Sequence, residues 1–178
     1  MPKNSIRNDW KLIESLINPR SSVLDIGCGE GSLIKQLENN IQSDTRGIEI
    51  DPELTRKAIA EGLNVVQGNA EHDLSQYSNQ SFDYVILSQT LQAMLKPREV
   101  LNELLRIGAK AIVSFPNFGH WKIRFQLLLM GRSPITEGLP YTWYETPNFH
   151  FFTIKDFQDL CKKSNIVIEK SIGLTSKG

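Results

Sequence analysis

The sequence predicts an α/β chain, a doubly wound parallel sheet covered on both faces by helices in a three-layer α/β/α sandwich. Three observations predict it. Short apolar runs bounded by turn residues alternate with longer amphipathic segments. The first apolar run ends in a glycine-rich turn, Asp25-Ile-Gly-Cys-Gly-Glu-Gly31, that leads into a helical pattern. The second run, Arg46-Gly-Ile-Glu-Ile-Asp51, places an acid at a strand end roughly twenty residues further on.

Taken in order, Ser22 to Ile26 is short and largely apolar, as a central strand covered on both faces must be. Gly27, Gly29 and Gly31 then permit a tight turn whose backbone a ligand can approach closely. A helix follows over roughly Glu30 to Glu38 with Leu33, Ile34 and Leu37 on one face, its first amide groups pointing back at the turn. Strand two ends at Glu49; Asp51 caps the next helix, and Pro52 fills its first position, where the missing N–H costs little. Asn64 to Gln67 reads as a third strand, Tyr84 to Leu87 as a fourth and Ala109 to Phe115 as a fifth. Between the last two, Pro97 to Ile107 forms a helix with Val100, Leu101, Leu104 and Leu105 turned inward. Thr153-Ile-Lys-Asp156 is a capping box that opens a helix through Cys161. Ile166-Val-Ile168 begins a sixth strand, while Leu174 to Gly178 supplies no seventh, and the sheet edge so left can recruit another chain.

Composition sets limits on this picture. With 178 residues, 40% of them hydrophobic, the chain builds one sizeable core and is expected to form a single domain over 1–178. Twenty basic and twenty acidic residues cancel without long runs, so nucleic acid is not an expected partner. The start, Met1-Pro-Lys-Asn, lacks a signal-like apolar stretch, and no run is long enough to span a membrane, which predicts a cytoplasmic protein. Two cysteines and three scattered histidines, His72, His120 and His150, offer neither a disulfide scaffold nor a metal-ligand cluster.

The glycine turn and Glu49 together read as a nucleoside site, because the two oxygens of Glu49 can accept both hydroxyls of a ribose. Asp25 and Glu30 distinguish it from a dinucleotide site: carboxylates around the turn repel a pyrophosphate but attract the amino and sulfonium groups of S-adenosylmethionine. S-adenosylmethionine or S-adenosylhomocysteine is the expected cofactor, with a vestigial pocket or another nucleotide as alternatives. Its expected contacts are Asp25, Gly27, Cys28, Gly29, Gly31, Glu49, Ile50, Asn69, Ala70 and Ser88. Some of these have plainer readings. Asn69 can serve as a turn former, Asp25 can brace the glycine turn, and Ser88, Gln89 and Thr90 can be loop or helix-cap residues. Cys28 suits the turn by its size and is not expected to be a nucleophile. No catalytic residue stands out.

These motifs resemble the class I S-adenosylmethionine-dependent methyltransferases, whose Rossmann-like sheet generally has seven strands. Within them, Phe82-Asp-Tyr-Val-Ile-Leu-Ser-Gln-Thr-Leu-Gln92, Ala111-Ile-Val-Ser-Phe-Pro-Asn-Phe-Gly-His-Trp121, Gln126-Leu-Leu-Leu129 and Leu139-Pro-Tyr-Thr-Trp-Tyr-Glu-Thr-Pro-Asn148 are similar to signatures of the MetW family. The resemblance runs from about Asp9 to about Ile172. It implies a role in methionine biosynthesis and support of a homoserine O-acyltransferase of the MetX kind, with S-adenosylmethionine binding that need not serve methyl transfer. The other implied function is an active methyltransferase acting on a small molecule. In the methyltransferase pattern an acid commonly stands where Asn69 is found; its amide carbonyl can still accept from an adenine amino group, but without charge assistance. The Asn-Pro-Pro-aromatic sequence associated with methylation of amide or base nitrogens is absent after strand four.

The distinctive segment is an aromatic and proline-rich insertion at about 116–152. His120 to Met130 reads as a helix with more apolar residues than one face needs, and Tyr141 to Pro147 clusters large rings beside Pro140 and Pro147. A small secondary core, a protein interface and a substrate pocket are the three readings of this segment. His120 and His150 are candidate proton acceptors, and Arg124 and Arg132 candidate carboxylate ligands, though each has an ordinary structural role available.

Overall fold

The computed structural model describes residues 8–136 and 141–174. Its centre is a five-stranded, all-parallel sheet formed by β1 (Ser22–Ile26), β2 (Asp44–Glu49), β3 (Val65–Gln67), β4 (Phe82–Ser88) and β5 (Gly108–Ser114), in the spatial order β3-β2-β1-β4-β5. The helices are α1 (Asn8–Ser15), α2 (Ser32–Ile41), α3 (Pro52–Ala60), α4 (Ala70–Asp73), α5 (Pro97–Ile107), α6 (Trp121–Met130) and α7 (Ile154–Lys163). Strand β1 is flanked by β2 on one side and β4 on the other, so the winding reverses at its carboxyl end and opens the crevice where such sheets bind ligands.

Alternation of side chains along the strands divides the core between two faces. Val23, Tyr84 and Ile86 pack with Ile13 and Ile17 from the α1 region and Leu33 and Leu37 of α2. Their neighbours Leu24, Val85 and Leu87 pack on the opposite face with Leu74, Val100, Leu101 and Leu104. Each β1 and β4 residue thus serves one layer of a three-layer sandwich, which explains why these strands read as continuous apolar runs.

Local signals place most boundaries. Asp51 accepts from the amides of Glu53 and Leu54 at the start of α3, with Pro52 following it. Thr153 and Asp156 form both halves of the expected capping box on α7. The α2 helix starts at Ser32, not Glu30, because Gly31 has a φ of 81° and cannot be a right-handed helical residue; it extends to Ile41, beyond Glu38. Asn64 precedes β3, and β5 runs from Gly108 to Ser114.

Two expectations are corrected, and one helix is new. Ile166 to Ile168 is irregular, and Val167 is 84% exposed. A strand needs a hydrogen-bonded ladder as well as β-branched residues; here the Ile166 amide instead donates to the Cys161 carbonyl at 2.8 Å, ending α7, and the Ile166 side chain packs on the core. Leu105 is exposed, and Ile107 takes a buried place beside Val100 and Leu104. The α1 helix, unforeseen in the sequence, packs against the glycine-turn helix. Residues 175–178, where no seventh strand was expected, and Pro140 lie outside the described residues.

The insertion divides into two parts. Phe115 packs on Phe152 and Phe157 at centroid distances of 4.8 and 4.7 Å, and Phe118 meets Phe151 edge-on, giving a satellite core at its base. Further out, α6 buries none of its residues, and Trp143 and Tyr144 are exposed. The expected secondary core is therefore real but small.

Candidate functional site

The site is assembled at the carboxyl ends of β1 and β2. Glu49, 7% exposed, directs its carboxylate across the glycine turn: Oε2 accepts from the Gly29 amide at 2.7 Å and Oε1 from the Asp51 amide at 2.9 Å. One acid therefore ties together the turn after β1 and the loop after β2. Each oxygen has further lone-pair capacity, so this bracing leaves room for hydroxyl donors.

The turn is packed at two of its glycines and open at the third. Gly27, Gly29 and Gly31 all have positive φ, at 71°, 61° and 81°. A Cβ on Gly27 would come within 2.9 Å of Thr90 Oγ1, and one on Gly31 would collide with Leu63; at Gly29 there is open space. Two glycines are thus required for packing below the turn, while the third leaves its upper side clear. No side chain caps α2, whose first N–H groups face this region.

Gly47 is a site residue that the sequence reading passed over. It lies opposite Asp25 in the sheet register, and a Cβ there would be 2.5 Å from Cys28 Sγ and 2.7 Å from Ile34 Cδ1. The missing side chain makes the space that Cys28 fills. Burial, reinforced by the charges of Asp25 and Glu49, pushes the Cys28 thiol up to about 12. The thiol is consequently protonated at neutral pH, the form that is the weaker nucleophile. Asp25 itself is 2% exposed, inside β1.

At pH 8 a thiol reagent is expected to label Cys28 of the folded protein far more slowly than the unfolded chain, because only about one thiol in ten thousand is ionised. Equal labelling rates would contradict this environment. The raised thiol pKa also means that the associated stability is intact below pH 9 and is lost as pH rises toward about 12.

On the far side of Glu49, its backbone carbonyl accepts from the Gly68 amide at 2.9 Å, which brings the Asn69 turn beside the site. Asn69 caps α4: Oδ1 accepts from the Glu71 amide at 2.9 Å, and its own amide donates to Asp73. The turn-forming role of Asn69 is therefore present. Ala70 is buried in the core, whereas Ile50 is 62% exposed next to Glu49.

Ser88 ends β4 but bonds on the β5 side, to Ser114 at 3.2 Å and to Asp9 Oδ2 at 3.3 Å. Ser114 also donates to that Asp9 oxygen, so a buried acid of α1 spans two strand ends. It is Thr90, two residues further, that touches the glycine turn. Gln92 then joins this loop to the insertion: its backbone carbonyl accepts from the Phe149 and His150 amides at 2.9 and 3.0 Å, and its Nε2 donates to the Gln89 carbonyl at 2.6 Å. His150 is held here by its backbone; His120 instead caps α6. Among the described residues, no group of three or more His, Cys, Asp or Glu side chains could hold a metal ion. No helix there is long and apolar enough to cross a membrane.

The sequence matches the family described as "Methionine biosynthesis protein MetW" over residues 7–178. The chain belongs to the MetW family. A bifunctional methionine biosynthesis protein, MetXA/MetW, of Rhodopirellula baltica is 36% identical over 173 residues, which cover 92% of this chain and 28% of that relative. The MetW chain thus spans little more than a quarter of that relative's length. Its fold is the Rossmann-like one of class I methyltransferases. A SAM-dependent methyltransferase of Thermotoga maritima superposes with a TM-score of 0.62 at 21% identity, over 88% of this chain and 68% of that one. A second, from Archaeoglobus fulgidus, gives 0.64 at 15% identity, over 86% and 67%.

Proposed function

We propose that this MetW-family chain binds S-adenosylmethionine or S-adenosylhomocysteine at the glycine turn and uses that binding to support a homoserine O-acyltransferase of the MetX kind. The observation that carries the nucleoside reading is the Glu49 carboxylate, braced by the Gly29 and Asp51 amides beside the open upper face of Gly29. A braced acid loses little rotamer freedom on accepting ribose hydroxyls, so its hydrogen bonds are preorganised. Ile50 lies beside the adenine position, with Asn69 at its edge. Asp25 contributes negative charge beneath the turn, favourable to the cationic parts of the ligand. Gly27, Gly31 and Cys28 keep the turn in shape. Ser88 belongs to the neighbouring Asp9 and Ser114 cluster and contributes at most indirectly.

The partner reading is supported by the Rhodopirellula baltica relative, in which a MetW portion is joined to a MetXA portion. Methionine synthesis leads to S-adenosylmethionine, so occupancy of this site reports how much of the end product is available. When bound, S-adenosylmethionine carries a methyl group activated by a sulfonium; this chain's own residues hold and orient the nucleoside.

Calorimetric titration of the purified protein with S-adenosylmethionine and with S-adenosylhomocysteine is expected to give saturable one-site binding. Absence of heat from folded protein would reject the ligand assignment. Acyltransferase activity measured with this protein present is expected to change across an S-adenosylmethionine titration. A flat response would remove the regulatory reading while leaving ligand binding intact.

A further inference from the structure

Among the described residues, α6 is an apolar helix with no buried side chain. Trp121, Phe125, Leu127, Leu128, Leu129 and Met130 are each between 53% and 79% exposed, and none of the ten residues of the helix is buried. Because apolar side chains occupy several sides of the helix, no rotation about its axis can bury them all against the sheet. The helix follows β5, which pairs only with β4 among the described residues, and it is held at its start by His120 accepting from the Lys122 amide. An apolar, ordered helix of this exposure marks an interaction surface. The glycine turn follows β1, which β4 separates from β5 in the sheet, and α6 follows β5.

We infer that the outward face of α6 is the docking surface for the homoserine O-acyltransferase, an inference that rests on the partner reading above. The occupant follows from the joined Rhodopirellula baltica protein. Its MetXA portion is held by covalent linkage beside a unit 36% identical to this chain, at the high effective concentration that linkage gives. A partner suited to this face would offer an apolar groove for one helix, with acidic groups at its rim to meet Lys122 and Arg124.

The test uses the full chain and a purified homoserine O-acyltransferase of the MetX kind, with binding measured by biolayer interferometry. Trp121→Glu combined with Leu128→Glu is expected to weaken the complex at least tenfold while leaving S-adenosylmethionine binding unchanged. Since both side chains are exposed, the folded state tolerates the change. Hydrogen exchange on the unmutated complex provides the second measurement: protection is expected at 121–130. A wild-type complex that forms without protection there, and that the double variant leaves at full affinity, overturns the surface assignment alone. Failure of the wild-type proteins to associate overturns the partner reading itself. Light scattering that finds α6 buried in a dimer of this chain, relieved by the double variant with acyltransferase binding unaltered, also overturns the assignment.

Discussion

Glu49→Ala is expected to lower affinity for S-adenosylmethionine by about 30- to 150-fold, corresponding to roughly 2 to 3 kcal/mol. Two losses combine. The ribose hydroxyls lose a charged acceptor, and the Gly29 and Asp51 amides lose the oxygens that fix the turn at 2.7 and 2.9 Å. Because Glu49 is 7% exposed, those amides are poorly placed to find water instead, and folding stability should also fall by about 1 to 3 kcal/mol. Glu49→Gln separates the contributions. It keeps one acceptor but turns an NH₂ group toward one of the two amides, so its affinity should lie between wild type and alanine. Calorimetry checks both variants, with thermal denaturation establishing that each is folded. Unchanged affinity in folded Glu49→Ala would reject the ribose role.

Gly47→Ala is expected to destabilise the fold by about 1 to 3 kcal/mol, a fall of roughly 5 °C in Tm for a chain of this size. The added Cβ would lie 2.5 Å from Cys28 Sγ, 2.7 Å from Ile34 Cδ1 and 3.0 Å from Val65 Cγ2. Cys28 Sγ and Val65 Cγ2 sit on short side chains and the Ile34 side chain is fully buried, so relief requires neighbouring backbone to move. Ligand affinity should therefore fall together with stability. Cys28→Ala in the same background removes the closest contact and should restore part of both. Denaturation and calorimetry that find Gly47→Ala indistinguishable from wild type would disprove the close packing beneath the turn.

The contrast between Glu49 and Gly47 explains what the sequence made legible. Glu49 follows from position: an acid ending a strand after a glycine turn has a chemistry readable from residue type and spacing. The caps at Asp51 and at Thr153 with Asp156 were likewise legible because their hydrogen bonds span only two or three residues. Gly47 matters through Cys28, Ile34 and Val65, which meet it only once three elements have packed. Asp9 was invisible for the same reason, since its bonds to Ser88 and Ser114 join residues 79 and 105 positions apart. Ile166 to Ile168 failed in the opposite direction. Its residue types suit a strand, but strand formation is decided by the neighbour it pairs with, and local composition carries no record of that neighbour.

Nothing in the spacing of residues announced the role of Gln92. Its carbonyl holds Phe149 and His150, its side chain holds Gln89, and the intervening Thr90 rests against Gly27. The glycine turn and the aromatic insertion are thereby mechanically in series, with one short loop as the shared spring. A displacement of either end is felt by the same few bonds. For the proposed nucleoside and partner, thermodynamic reciprocity would follow: the factor by which the first altered binding of the second would equal the factor by which the second altered binding of the first.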